Sequence, residues 1–117
     1  MLIGQTVIAT TGTGAKYYSP WFPRQGDAFV AVFEVLRASD SANTSLSCVV
    51  QTKNNEDTDA APDSVATIST ISTTTGATTQ QLCTGCKELV RYKFTATGTS
   101  SARWLHFRAM PPMWQHN

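Results

Sequence analysis

From Glu88 to Trp114 the chain reads ELVRYKFTATGTSSARWLHFRAMPPMW, and through most of it apolar residues recur at every second position. Val90, Tyr92, Phe94 and Ala96 fall on one side; Leu89, Arg91, Lys93 and Thr95 fall on the other. After the polar stretch at 97–101, Leu105, Phe107 and Ala109 oppose Trp104, His106 and Arg108. Successive side chains of a strand point to opposite faces, so this period means one face in a core and one exposed. The pattern predicts a final hairpin, with Pro111 and Pro112 ending its pairing because proline has no backbone N–H to donate.

The same pattern recurs upstream. Ala28–Arg37 (AFVAVFEVLR) is the strongest strand, with Phe29, Ala31, Phe33 and Val35 on one face. Val30, Val32 and Leu36 load its other face, which predicts a central strand buried on both sides or packed against an arm. In 45–52 the inward residues are Leu46, Cys48 and Val50. Thr-rich segments at 65–72 and 77–82 read as weaker strands, and 16–22 (KYYSPWF) as an edge or extended segment broken by Pro20. Turn residues separate these runs, and β-branched content disfavours helix throughout. At 117 residues the chain has room for one core. The expected fold is all-β, a single-domain antiparallel β-sandwich or jelly roll of about eight strands. Residues 1–15 are expected to form a strand or arm, and 16–117 the sandwich itself.

Charge narrows the partners. The net charge is only +1, which argues against bulk attraction to nucleic acid or to an anionic membrane. It is unevenly placed: residues 1–63 hold four basic and seven acidic side chains, whereas 64–117 hold five basic and Glu88 alone. Such a split either steers contacts between copies or neutralises itself across one fold. No stretch approaches the ~20 apolar residues of a membrane-spanning helix. The start, MLIGQTVIATTG, lacks the basic region of a secretory signal, so synthesis in a cytoplasm is expected. The odd cysteine count of three fits a reducing compartment.

Few residues suggest chemistry. Cys83-Thr-Gly-Cys86 has the spacing of half a zinc site or a redox dithiol. Cys48, His106 and His116 are the remaining ligands on offer, and a plain turn plus a core Cys48 is the competing reading. The acidic loop of Glu56, Asp57, Asp59 and Asp63 lacks the spacing of a calcium loop. Nucleophile, phosphate-loop and dinucleotide signatures do not occur, so neither catalysis nor a cofactor is expected. The aromatic residues Tyr17, Tyr18, Trp21, Phe22, Trp104 and Trp114 suit three roles: core, protein interface or sugar stacking. Arg91, Lys93 and Arg108 could contact phosphate, but the pattern of an RNA-binding sheet is absent. Arg91 and Arg108 stand as candidate interface contacts, and Leu2, Ile3 and Val7 as the apolar positions of an arm able to pair with a neighbour.

The phrases FPRQGDAFVAVFEVL, VVQTKNNEDTD and KELVRYKFTATG…WLHFRAMPPMW resemble small capsid decoration (cement) proteins of tailed bacteriophages. The resemblance runs over most of the chain after Tyr17 and does not include the Cys83–Cys86 turn. It implies a jelly-roll or sandwich protein that binds the outside of a shell of major capsid protein, commonly as a homotrimer. It also implies a place on the virion surface after synthesis in the host cytoplasm. A carbohydrate-binding sandwich and a tail or baseplate component are the competing roles.

Overall fold

The computed structural model describes residues 4–10, 14–39, 44–59, 62–98 and 103–115. They form ten strands: β1 (Gly4–Thr10), β2 (Ala15–Tyr18), β3 (Phe22–Pro23), β4 (Ala28–Ala38), β5 (Thr44–Lys53), β6 (Asp63–Ile71), β7 (Thr78–Thr84), β8 (Leu89–Gly98), β9 (Arg103–Ala109) and β10 (Met113–Gln115). No helix occurs among the described residues, and hence none long and apolar enough to cross a membrane.

The strands build two antiparallel sheets. In the first, β9 lies between β1 and β4, and β4 pairs along its other edge with β7. The short β10 continues the line of β9 beside the start of β4, with Trp114 opposite Phe29. In the second sheet the order is β2–β8–β5–β6, with β3 continuing the line of β2 along β8. The pairing is nested: β1 with β9, β2 with β8, β4 with β7 and β5 with β6. That is the wiring of a jelly roll, a folded-back chain wrapped into two facing sheets.

The inward rows are those given by the alternation. Phe29, Ala31, Phe33 and Val35 of β4 and Val90, Tyr92, Phe94 and Ala96 of β8 are all 0% exposed. Leu46, Cys48 and Val50 join them from β5, and Leu105, Phe107 and Ala109 from β9. Rings from the two sheets meet edge to face: Phe33 lies 5.1 Å from Tyr92 at 78° and 5.5 Å from Phe94 at 85°. Phe107 closes on Phe94 at 4.9 Å.

Three expectations are corrected. β8 and β9 do not form a hairpin; they belong to opposite sheets. Alternation reports which face is buried, but it does not say which strand supplies the hydrogen bonds. The two prolines end β9 without ending the pairing, because β10 resumes on β4 beyond them. The outer face of β4 is only half-buried at Val30, Val32 and Leu36, since no further layer among the described residues covers it. A register shift between Val35 and Arg37 sets Leu36 in a bulge against β9.

Pro20 breaks the strand that would otherwise run from β2 into β3, and buried Ser19 repairs the ladder. Its N–H donates to the Tyr92 carbonyl at 2.9 Å, and its Oγ accepts the Tyr92 N–H at 2.8 Å. The side chain of Tyr92 is served less well. Its hydroxyl is buried without a hydrogen-bond partner among the described residues, and burial pushes its pKa upward. An unmet buried hydroxyl costs about 1–3 kcal/mol, so Tyr92→Phe is expected to stabilise the fold by about 1 kcal/mol in urea unfolding. A destabilised variant would show that the hydroxyl has a partner after all.

Candidate interaction faces

The outer face of the second sheet carries a stack of rings and cations. Tyr18 leaves β2 outward, while its neighbour Tyr17 turns to pack against the core. Trp21 follows Pro20 in the break between β2 and β3. The guanidinium of Arg91 lies over both rings, 4.5 Å from the Tyr18 centroid and 4.4 Å from that of Trp21. Arg91 projects outward because its neighbours Val90 and Tyr92 project inward. Its Nε donates to Gln51 Oε1 at 2.8 Å, across the β5–β8 register. Lys53 approaches the same indole at 5.0 Å and pairs with Asp59. Asp59 is thereby held below the usual carboxylate range, chiefly by the Lys53 hydrogen bond; the charges of Lys53 and Arg91 and the Trp21 indole contribute after it, against some desolvation. The indole N–H is buried and makes no hydrogen bond of normal geometry, so it acts on Asp59 as a nearby dipole.

The outer face of the first sheet is different. Five large apolar side chains among the described residues are well exposed: Val7, Tyr18, Leu82, Trp104 and Met113. All but Tyr18 lie on the first sheet. Leu82 of β7 and Met113 of β10 flank Val30 of β4 in register, and both are more than half exposed. At the other end of the face, Val7 stands opposite His106 on β9, diagonal to Trp104. Between the two apolar ends, Arg108 Nη2 meets Glu34 Oε1 at 2.8 Å. A half-exposed pair of this kind contributes only about 0–1 kcal/mol.

The remaining sequence candidates fall elsewhere. Trp114 is half-buried, stacked at 4.8 Å on Phe29 and 6.5 Å from Phe22, where it covers one end of the core. Leu2, Ile3 and His116 lie outside the described residues. Val7 belongs to β1, which is paired along its length with β9. The sequence reading missed Leu82, Met113, Gln51 and Lys53. Each lies in a segment that looks ordinary alone and gains meaning only from its register partner.

The cysteines are buried free thiols. Burial pushes Cys83 up to about 12, with Cys86 adding to it, and raises Cys48 further, with Cys83 adding. Cys86 is also raised by burial, against the opposing charge of Arg24. The turn that carries Cys86 is clamped from both sides. Arg24 Nη1 donates to the Cys86 carbonyl at 3.0 Å, and the Lys87 N–H donates to Thr52 Oγ1 at 2.7 Å. Gly85 takes φ 75°, which the turn requires and which a side chain would strain. No group of three or more His, Cys, Asp or Glu side chains among the described residues is placed to hold a metal ion. A cleft of about 440 Å³ lies between the acidic loop and Lys87, but its cations are already engaged: Lys53 with Asp59, and Lys87 with Asp63.

Neutral, buried thiols are poor nucleophiles. Iodoacetamide is expected to label none of the three cysteines at pH 8 in the folded protein and all three in denaturant, as mass spectrometry would read. Their raised pKa values also set a sign. The stability they contribute is complete below the ordinary thiol value of 9.0 and is lost as pH rises toward the folded value of Cys83, about 12. Rapid labelling of the native protein would contradict this placement.

No protein-family model matches the sequence, and no curated protein matches it. The fold is similar to a chain in the structure of infectious bursal disease virus Gt strain, with TM-score 0.58 and 12% identity over 92% of this chain and 28% of that one. A chain in the structure of the Gx strain of the same virus is similar too, with TM-score 0.53 and 8% identity over 91% of this chain and 30% of that one. This chain thus spans less than a third of the length of either neighbour, and at such identities the likeness is one of fold.

Proposed function

We propose that this chain is a virion structural protein without a catalytic role, which decorates and stabilises a bacteriophage shell by binding the lattice of the major capsid protein. The observation that carries the reading is the placement of exposed apolar side chains. Four of the five sit on the outer face of one sheet, at its two ends, rather than being scattered. Exposed apolar surface gathered on one face marks a contact surface. The likeness in fold to chains in virus structures supports a place in a virion, and the sequence resemblance supplies the bacteriophage shell as the partner.

In this reading the Leu82–Val30–Met113 row and the Val7–Trp104 corner seat on the lattice or on sister copies, a homotrimer being the favoured assembly. Each contact is weak, and the lattice multiplies it: binding that favours the assembled shell stabilises it by mass action. The carbohydrate alternative is less well supported, because Tyr18 and Trp21 each already give a ring face to Arg91.

Co-sedimentation with expanded and unexpanded phage shells tests the proposal. Wild-type protein is expected to pellet with one form, and the Leu82→Ser, Met113→Ser double variant to lose at least tenfold in affinity. Both side chains are more than half exposed, so the variant is expected to keep its fold. Failure of the wild type to pellet with either form would refute the reading.

A further inference from the structure

We infer that the distal edge of Arg91 is a carboxylate-binding site, and that it takes an acidic, extended peptide segment laid along β8, with Lys93 receiving a second carboxylate. The inference concerns the face opposite the apolar one and goes beyond shell binding.

Arg91 is held by three neighbours. Its guanidinium lies over the rings of Tyr18 and Trp21 at 4.5 and 4.4 Å, and Gln51 accepts its Nε–H at 2.8 Å. Its Nη groups have no acceptor among the described residues. A guanidinium carries five N–H donors in a planar fork that matches a carboxylate in bidentate fashion. A free arginine must lose side-chain freedom to use that fork, whereas this one is already fixed, so binding incurs less of that cost. Asp59, the acid whose carboxylate feels the Arg91 charge, is committed to Lys53.

The surroundings extend the site in one direction. Lys93 is the next outward residue on β8 and stands in register with Tyr18. Lys16 lies diagonal to it on β2, opposite Thr95. Neither lysine has an ion-pair partner among the described residues. Outward residues two apart on a strand are spaced by about 6.6 Å. An extended peptide presents its own alternate side chains at that same repeat, so carboxylates at positions i and i+2 match Arg91 and Lys93.

A single-stranded nucleic acid has a similar charge repeat but fits less well. Stacking its bases requires open aromatic faces, and Arg91 occupies one face of each ring. Near Arg91, Asp59 belongs to the acidic loop that also carries Glu56 and Asp57, and these carboxylates repel a long polyanion.

Fluorescence anisotropy with a labelled Thr-Glu-Thr-Glu-Thr-Glu peptide tests this. The expected result is binding at least tenfold tighter than to the Thr-Gln counterpart, weakening as salt rises. Arg91→Lys keeps the charge but removes the fork, and is expected to lose at least fivefold. Lys93→Ala, on an outward position, is expected to lose two- to fivefold without disturbing the fold. Equal affinity for the Glu and Gln peptides, no binding to the Glu peptide, tighter binding to oligothymidylate, or an unchanged Arg91→Lys variant would each overturn the inference. Because the apolar residues lie on the opposite face, shell sedimentation and peptide binding can fail independently.

Discussion

The packing of one aromatic layer between two sheets governs the rest of this molecule. Phe22, Phe29, Tyr92, Phe33, Phe94 and Phe107 form a continuous run of ring contacts along the interior. These rings are contributed by both sheets, so neither sheet buries its apolar face without the other. Their removal from water is the dominant favourable term, and truncating one such ring typically costs about 3–5 kcal/mol. Once the layer is in place, alternation leaves β8 and β9 no choice about their outward residues. Arg91 and Lys93 face out because Tyr92 and Phe94 face in, and Trp104 and Arg108 face out because Leu105 and Phe107 face in. The outer chemistry of the protein is therefore a by-product of its interior.

That relation explains what the sequence made legible. Every inward row read from period two is inward, from Phe29–Val35 to Leu105–Ala109, because burial on one face leaves a one-dimensional record. The all-β class and the sandwich architecture follow from the same record. Pairing leaves no such record. The connection from β8 to β9 looks like a hairpin turn, yet the strands diverge to opposite sheets, and their partners lie about 40 to 100 residues away in sequence. The candidate sites share this limit. Arg91 and Tyr18 stood out individually, but only register brings Tyr18, Trp21 and Gln51 around one guanidinium. Leu82 and Met113 lie in short or Thr- and Gln-rich segments whose exposed face carries no apolar row of its own, and Val30 unites them only in three dimensions.

The two outer faces differ in chemistry. One is apolar at its ends with an ion pair at its middle; the other is aromatic and basic, and its Lys16 and Lys93 have no ion-pair partner among the described residues. A two-layer scaffold with distinct sides suits a molecule that touches two kinds of neighbour. The buried thiols fit this picture as filling. Their raised pKa values keep them neutral and hydrophobic in character, and the clamped turn around Cys86 acts as a structural corner.

The Pro20 interruption has a consequence for self-association. Among the described residues, the second sheet has two outer edges: the broken β2–β3 line, which Ser19 stitches to β8, and β6, whose ladder to β5 shifts register twice. Neither offers the long, straight row of donors and acceptors that a stray strand needs as a template. At high concentration, copies are thus kept from zippering together through that sheet: a proline and a serine interrupt one edge, and two register shifts interrupt the other.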